Sequence, residues 1–396
     1  MNKKRFTLSG DSFIEPLKPF CRFFLPASFL FFFVFLLIVS GCVKTPGREK
    51  APHSPTLLIA PFPEADTLFQ KDPRWLGGDG ASSIAIGHEE ILWLFGDTFI
   101  GTDGLKDRKK SVMIRNSIAI QKGGDPTKAG IHFYFRDSKG KPAPYFQLPH
   151  LGEVWPSMGI LVRDKLFVFL MSVVTVKNDL GFHIGAWHCV SVMDRSPAPE
   201  AWAWRQVPPP ASPSGLPLTL TFVFSEKRYV YGFLTHKTSH DIYLCRWPIE
   251  DFFNERLLNP SWWRPSEKRW TTMKKLKKGA AILPIFRDGQ MEFSIEWQPL
   301  LKQYMLVQSQ GFGNAPIGIR RANKITGPWS PFTPLFSPPF SHRKNIVTYA
   351  AKSHPEQTGA PLIFTYAVNS LDFNELLSDN RIYFPYFLKG TITHAP

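Results

Sequence analysis

A hairpin pattern recurs five times along the chain, and it limits the fold to one built from repeated antiparallel units. Each unit contains a short apolar run, a polar turn and a second apolar run, with the alternation of side chains that is typical of strands. The spacings between the second runs are 75, 63, 75 and 58 residues, and the runs begin at Ile91, Leu166, Tyr229, Tyr304 and Leu362. Third strands are predicted from the segments NSIAI, IGAWHCV, DIYLCRW, IGIRRA and IYFPYFL.

Five antiparallel units of this size predict an all-β fold, a five-bladed β-propeller. A β-sandwich with a similar number of strands is the alternative, but radial repetition suits five similar hairpin units better. We expect Leu57–Ala60 to add a strand to the last unit and so to close the ring. The chain also contains 36 Pro and 28 Gly, and this abundance of helix breakers disfavours a helical bundle.

The N-terminal segment has the features of a targeting signal. A basic start at residues 3–5 precedes the apolar segment Phe23–Val39, and Ser40-Gly41-Cys42 follows. This arrangement resembles a bacterial lipoprotein signal, in which the cysteine becomes the lipidated N-terminus. A retained transmembrane anchor is the alternative interpretation.

The expected domain organisation therefore has three segments. Residues 1–41 are a signal peptide, residues 42–55 are a tether that begins at the lipidated, palmitate-carrying Cys42, and residues 56–396 are the propeller. We expect a monomer in the bacterial cell envelope, held to the membrane by its lipid anchor. Val43 after the cysteine favours the outer membrane if the organism is Gram-negative.

The formal net charge of +15 does not by itself indicate a nucleic-acid partner. Much of the excess lies in two basic runs, residues 106–110 and 274–278, which we interpret as solvated loops. Contact with anionic lipid headgroups or anionic glycan is the alternative. Because no nucleic-acid-binding motif accompanies these runs, we expect no nucleic-acid partner.

Two cysteines remain in the predicted propeller, Cys189 and Cys245. Both fall in the third strand of neighbouring units, and equivalent positions in adjacent blades lie beyond the roughly 7 Å that a disulfide allows between Cα atoms. We therefore predict two free, buried thiols.

The first hairpin brings polar residues to one edge of its sheet. Asp79 precedes the first strand within a Gly-rich turn, and Asp97 follows the second strand within Gly96-Asp97-Thr98. The third strand begins at the same edge, after Arg115 and Asn116. Two carboxyl groups, a guanidinium and an amide are therefore predicted to converge, although Asp79 could be only a turn residue.

The same reasoning places further polar and aromatic side chains at this rim: Glu153 and Trp155 in the second unit, His236 in the third, Glu292 in the fourth, and Tyr349 and Asn369 in the fifth. His354 lies further along the inner strand of the fifth unit, where we expect it to line the central channel. Carboxylates with aromatic faces suit sugar, because rings stack on the aromatic side chains while carboxylates bond hydroxyls and transfer protons. The glutamates could instead be ion-pair partners of arginines, and Trp155 could belong to the core.

Other chemistries find little support in the sequence. The zinc signatures HExxH and CxxC do not occur, and neither does the G-x-S-x-G nucleophile motif. Gly311-Phe312-Gly313 does not open a helix in a dinucleotide-binding pattern. We therefore expect no metal and no cofactor.

The segments GGDGASSIAI, LWLFGDTFIG and RNSIAI resemble the opening of five-bladed propellers related to glycoside hydrolase family 43. They are most similar to family 183, which is tied to endo-D-arabinanases. Further similar segments are Trp155-Pro156, Glu292 ahead of its strand, GPWS at 327–330, His354-Pro355-Glu356 and IYFPYF, so the resemblance spans roughly Trp75 to Lys389. It implies that Asp79 and Asp97 are the acidic pair, and we take Glu292 as a third candidate.

The sequence thus predicts a glycoside hydrolase acting on an arabinan-like polysaccharide of furanose or pyranose units. Asp79 is the expected base or nucleophile, and Asp97 is the expected acid or the modulator of its pKa. A non-catalytic propeller that binds glycan or scaffolds envelope proteins is the alternative, and a degenerate hydrolase is a further one. D-Arabinan, L-arabinan, xylan side chains and a bacterial envelope glycan are the candidate substrates.

Overall fold

The computed structural model describes residues 55–102, 104, 106–148, 152–177, 181–276, 281–340 and 343–393. The predicted signal peptide, Cys42 and all but the last residue of the predicted tether lie outside these ranges. All the described residues belong to one compact unit, 52–396. Among them, no helix combines the length and the apolar character needed to cross a membrane.

Most of the described chain is antiparallel β-structure. Within the described residues, five sheets have four or five strands each. Their strands, in hydrogen-bonded order, are Ser82–Gly87, Glu90–Phe95, Ser117–Lys122 and Gly130–Tyr134 in the first sheet; Glu153–Val162, Lys165–Thr175, Phe182–Val192 and Arg205–Val207 in the second; Leu218–Glu226, Tyr229–His236, Ile242–Pro248, Ser261–Arg264 and Arg269–Thr272 in the third; Phe293–Gln298, Gln303–Ser309, Ile317–Ala322 and Thr333–Phe336 in the fourth; and Ile346–Ser353, Leu362–Ser370, Tyr386–Thr393 and Thr56–Pro61 in the fifth.

Shorter elements connect these sheets. Two small sheets consist of Trp75–Gly78, Thr98–Gly101 and Ser111–Ile114, and of Arg136–Ser138 with Lys141–Ala143. The α-helices are Pro63–Asp66, Ile249–Phe253 and Phe373–Ser378. The 3₁₀ turns are Thr67–Gln70, Arg108–Lys110, Pro199–Ala201, Pro213–Gly215, Pro265–Glu267 and Met273–Lys275.

The five predicted hairpins are confirmed, because the first two strands named in each sheet pair in antiparallel fashion. Five buried clusters form the core. Four draw their main members from two sheets, whereas the fifth combines the first sheet with residues 62–69 and with Ile363 and Phe387 of the fifth sheet. They join the first sheet to the second, the second to the third, the third to the fourth, the fourth to the fifth, and the fifth back to the first. The first strand named in each sheet, here called its inner strand, contacts the inner strand of the next sheet from the first to the fifth.

The last sheet contains strands from both ends of the described chain. Thr56–Pro61 pairs with Tyr386–Thr393, with Leu57 opposite Ile392, as the sequence predicted. The third strand predicted from IYFPYFL begins later than expected, at Tyr386. Tyr383 has a φ of 65°, a left-handed conformation that interrupts an extended strand.

Cys189 and Cys245 are free and buried, as predicted. The basic run at 106–110 differs from the prediction of a solvated loop, because Arg108 is only 2% exposed. Its guanidinium donates hydrogen bonds to the carbonyls of Leu76, Leu376, Asp379 and Ile382. Arg108 therefore ties the 376–382 segment to the start of the first unit.

Candidate functional site

The first hairpin brings Asp79 and Asp97 together. Ser82 pairs with Leu94, so the residue before the inner strand and the residue after the second strand lie at the same end. The amide of Gly96 donates to the carbonyl of Asp79 at 2.9 Å. A Cβ atom at position 96 would lie only 2.4 Å from Oδ1 of Asp79. Glycine at this position therefore permits the close approach of the two aspartates.

Asp97 is held by two donors. Arg115 donates to its Oδ2 at 3.0 Å, and the indole of Trp155 donates to its Oδ1 at 2.7 Å. Arg115 also pairs with Glu153 at 2.7 Å. Burial raises the pKa of Asp97, while the charge of Arg115 and both hydrogen bonds oppose that rise by stabilising the ionised carboxylate.

Asp79 lacks a comparable cationic donor. Its Oδ2 accepts a hydrogen bond from the hydroxyl of Tyr349 at 2.6 Å, and that hydroxyl accepts one from Asn369 at 3.1 Å. Burial, followed by the negative charges of Asp97 and Glu292, raises the pKa of Asp79 to about 8, although the Tyr349 hydrogen bond and Lys352 oppose the shift. Asp79 is thus the carboxyl that keeps its proton near neutral pH, and its side chain is still partly exposed.

Glu292 lies at the start of the fourth sheet's inner strand and faces the first sheet. The ammonium of Lys352 donates to its Oε1 at 2.8 Å and to the carbonyl of Gly80 at 2.6 Å. The Lys352 side chain is only 4% exposed, so this ion pair is well shielded from water. We call Asp79, Asp97 and Glu292 the acidic cluster.

Two residues that contact the acidic cluster were missed by the sequence analysis, Lys352 and Tyr383. The hydroxyl of Tyr383 donates to the main-chain carbonyl of Asp97 at 3.1 Å. Tyr383 directly follows the segment held by Arg108, which fixes its position. No local pattern marks either residue, because each meets the cluster only through packing between sheets.

Two predicted binding residues, Asn116 and His354, are corrected by their burial. Asn116 is fully buried, and its amide bonds the main chain of Phe146 and Val154. His354 is 2% exposed, and its two ring nitrogens bond Ser83 and Thr365. Both side chains use their polar atoms for hydrogen bonds within the fold, and Asn116 also lines a cleft beside Arg115.

The remaining predicted residues fall into two groups. Arg115, Glu153, Trp155 and Asn369 contact the acidic cluster directly or through one partner. His236 accepts hydrogen bonds from the amides of the turn that follows it, at 3.1 Å from Ser239. Its contacts thus make it a turn residue of the third sheet, at the same end as the cluster.

Space for a ligand is present beside the cluster. A cleft of about 490 Å³ opens next to Arg115 and Glu153, lined also by Phe146 and Gln147. Among the described residues, no three His, Cys, Asp or Glu side chains are grouped so as to hold a metal ion. The cleft therefore reaches Asp97 through Arg115, while the three carboxyl groups of the acidic cluster do not line it.

The fold and the cluster define a mainly β protein with carboxyl groups gathered at one end of its inner strands. The chain belongs to the family described as a domain of unknown function, DUF5005, whose model matches residues 64–390. A comparison with curated protein sequences found no match.

Solved structures include similar folds. A Bacteroides ovatus ATCC 8483 protein, described only provisionally as a hydrolase, aligns with a TM-score of 0.66 and 14% identity over 87% of this chain and 93% of its own. The Podospora anserina α-L-arabinofuranosidase, solved with cellotriose, aligns with a TM-score of 0.43 and 11% identity over 87% of this chain and 98% of its own. A Bacillus halodurans xylan β-1,4-xylosidase aligns with a TM-score of 0.43 and 12% identity over 76% of this chain and 50% of its own.

Proposed function

We propose that the chain is a glycoside hydrolase that cleaves an arabinan-like polysaccharide of furanose or pyranose units. The observation that carries this proposal is the pairing of Asp79, whose pKa burial and neighbouring charge raise, with Asp97, whose charged form Arg115 and Trp155 stabilise. Glycosidic hydrolysis needs these two states together, one carboxyl to give a proton and one to accept it or to attack carbon.

We assign the two roles in the opposite order from the sequence interpretation. Asp79 is the general acid, since its raised pKa of about 8 keeps the proton available near neutrality. Asp97 is the base or nucleophile, since Arg115 and Trp155 favour its charged form. Glu292 modulates the acid, because its charge raises the pKa of Asp79, and it forms an ion pair with Lys352.

The reaction then proceeds with a balanced proton count. Asp79 transfers its proton to the leaving glycosidic oxygen as the bond to the anomeric carbon breaks. Asp97 either takes a proton from the attacking water or forms a glycosyl ester that water then hydrolyses. The net result is the addition of one water molecule across the glycosidic bond.

Aromatic side chains beside the cluster support a sugar ligand. The ring of Trp155, which donates to Asp97, packs edge-on against Phe182 with centroids 4.8 Å apart. Pockets that combine aromatic surface with a few convergent polar groups suit ligands with both apolar faces and hydroxyls. The Bacteroides ovatus protein of similar fold is itself described, provisionally, as a hydrolase.

The proposal includes a specific architecture. The five sheets are interpreted as the five blades of a β-propeller, because their core clusters link the sheets in cyclic order. The relationship to glycoside hydrolase families 43 and 183 rests on the sequence segments around Asp79 and Asp97 and on Glu292. Lipidation at Cys42 would place the enzyme on the bacterial envelope. Metabolic labelling of the wild type and of Cys42→Ala with an alkyne-tagged palmitate tests this lipidation.

The test is digestion of a glycan panel containing D-arabinan, L-arabinan, arabinoxylan and a bacterial envelope glycan. We expect one of these to be cleaved, and Asp79→Asn and Asp97→Asn to lower its kcat/KM by about 10²–10⁴-fold. On a dinitrophenyl glycoside, whose leaving group needs no proton, Asp79→Asn should retain activity and Asp97→Asn should not. The reverse pattern would exchange the two roles.

Full activity of both variants on the polysaccharide would refute the carboxyl assignment. Binding of a glycan without cleavage by the wild type would instead support the alternative, a non-catalytic binding or scaffold propeller. Circular dichroism of each variant controls for folding.

A further inference from the structure

Phe312 is an aromatic side chain that the proposed reaction leaves unused. It follows the second strand of the fourth sheet and is 59% exposed. Gly311 and Gly313 flank it with φ angles of 96° and 107°. These left-handed conformations favour glycine and turn the phenyl ring outward.

The loop that carries Phe312 is anchored rather than free. The amide of Thr348 donates to the carbonyl of Gly313 at 2.6 Å, and its hydroxyl donates to the same carbonyl at 3.1 Å. Asn314 also forms a bridge with Thr348. Because Thr348 is only 1% exposed, the loop is fixed to the inner strand of the fifth sheet.

This anchorage places Phe312 beside the acidic cluster. Its ring lies 5.6 Å from the ring of Tyr349, at an interplanar angle of 42°. Tyr349 in turn donates to Asp79 at 2.6 Å. An exposed apolar ring is therefore held one side chain away from the proposed general acid.

We propose that Phe312 is a sugar-stacking platform that binds a unit of the polysaccharide next to the cleaved bond. The inference rests on the proposed function. A sugar ring matches this position because its C–H face can cover the phenyl ring while its hydroxyls reach the polar groups around Asp79. The platform is preorganised, since the loop is anchored before any ligand binds.

The test uses Phe312→Ala, Phe312→Trp and the control Leu58→Ala on whichever glycan of the panel the wild type cleaves. Leu58 is a matched control, because it is 58% exposed on an outer strand of the fifth sheet. Phe312→Ala should raise KM about tenfold with kcat within twofold of wild type. Phe312→Trp should restore KM, and Leu58→Ala should leave it unchanged.

A binding measurement separates this inference from the catalytic proposal. In the Asp79→Asn background, Phe312→Ala should weaken the affinity for the same oligosaccharide about tenfold by calorimetry. Unchanged KM and unchanged affinity would overturn the platform while leaving the hydrolase assignment intact. A wild type that neither cleaves nor binds any glycan would overturn both.

Discussion

Replacing Asp79 by Asn removes a carboxyl group that the fold holds in an unfavourable environment. Burial and the charges of Asp97 and Glu292 raise the pKa of Asp79 from 3.8 to about 8. Between these two values the folded chain binds a proton that the unfolded chain has released. The free energy of unfolding therefore falls as pH rises through this window, and the Asn variant is exempt from that loss.

The size of the effect follows from the shift. Each pKa unit corresponds to about 1.36 kcal/mol, so a shift from 3.8 to about 8 sets a ceiling of about 5 kcal/mol at pH 8. Because the Asp79 side chain is partly exposed, we expect a smaller gain, of at least about 2 kcal/mol. At pH 4.5 the gain should shrink to about 1 kcal/mol or less, since the unfolded chain is then partly protonated.

Urea denaturation followed by tryptophan fluorescence between pH 4.5 and 8 measures this difference. Asp379→Asn is the control of opposite sign, because Arg381 and Arg343 hold the pKa of Asp379 well below its usual range. That variant should lose stability at neutral pH. An Asp79→Asn variant no more stable than wild type at pH 8, or with a gain independent of pH, would refute the reasoning.

Three other outcomes are expected. Gly96→Ala should lower kcat/KM by about 100-fold, because the new Cβ would displace Oδ1 of Asp79. The unfolding midpoint should change little. Retention of activity would contradict the close approach of Gly96 to the Asp79 side chain. Tyr349→Phe removes a hydrogen-bond donor that lowers the pKa of Asp79. The alkaline limb of the pH profile of kcat/KM should therefore move up by roughly one pH unit. A downward move would exclude Asp79 as the general acid. Cys189 and Cys245, whose burial raises their thiol pKa, should resist alkylation until urea is added, as peptide mass spectrometry can show.

The sequence predicted what depends on local geometry. The five hairpins followed from alternating side chains, and the neighbourhood of Asp79 and Asp97 followed from the two ends of one hairpin. The pairing of the N-terminal strand with the last sheet was also predicted, because an incomplete last unit lacked a strand. The first two inferences need only the pairing of strands that are adjacent in the sequence, whereas the third joins the two ends of the described chain.

What could not be predicted depends on contacts between sheets. Lys352 reaches the acidic cluster from the fifth sheet, 272 residues after Gly80, and Tyr383 reaches it from the segment before that sheet's third strand, 286 residues after Asp97. Arg108 lies in a basic run of the sequence. Only the fold shows that this side chain is buried and donates hydrogen bonds to four main-chain carbonyls. His354 failed for the same reason, since a sequence does not distinguish a buried, satisfied histidine from a ligand-binding one.

Asp379 and Asp79 lie in opposite electrostatic environments, and the comparison favours a functional role for the acidic cluster over a structural one. Asp379 lies between two arginines, which lower its pKa, so ionisation there stabilises the fold. Asp79 faces two further carboxyl groups, and its ionisation opposes folding. Packing elsewhere must offset this loss of folding stability. An aspartate with only a structural role would gain nothing from such an environment. An acid of raised pKa beside a carboxyl group whose charged form Arg115 and Trp155 stabilise is, by contrast, the arrangement that the proposed glycosidic cleavage uses.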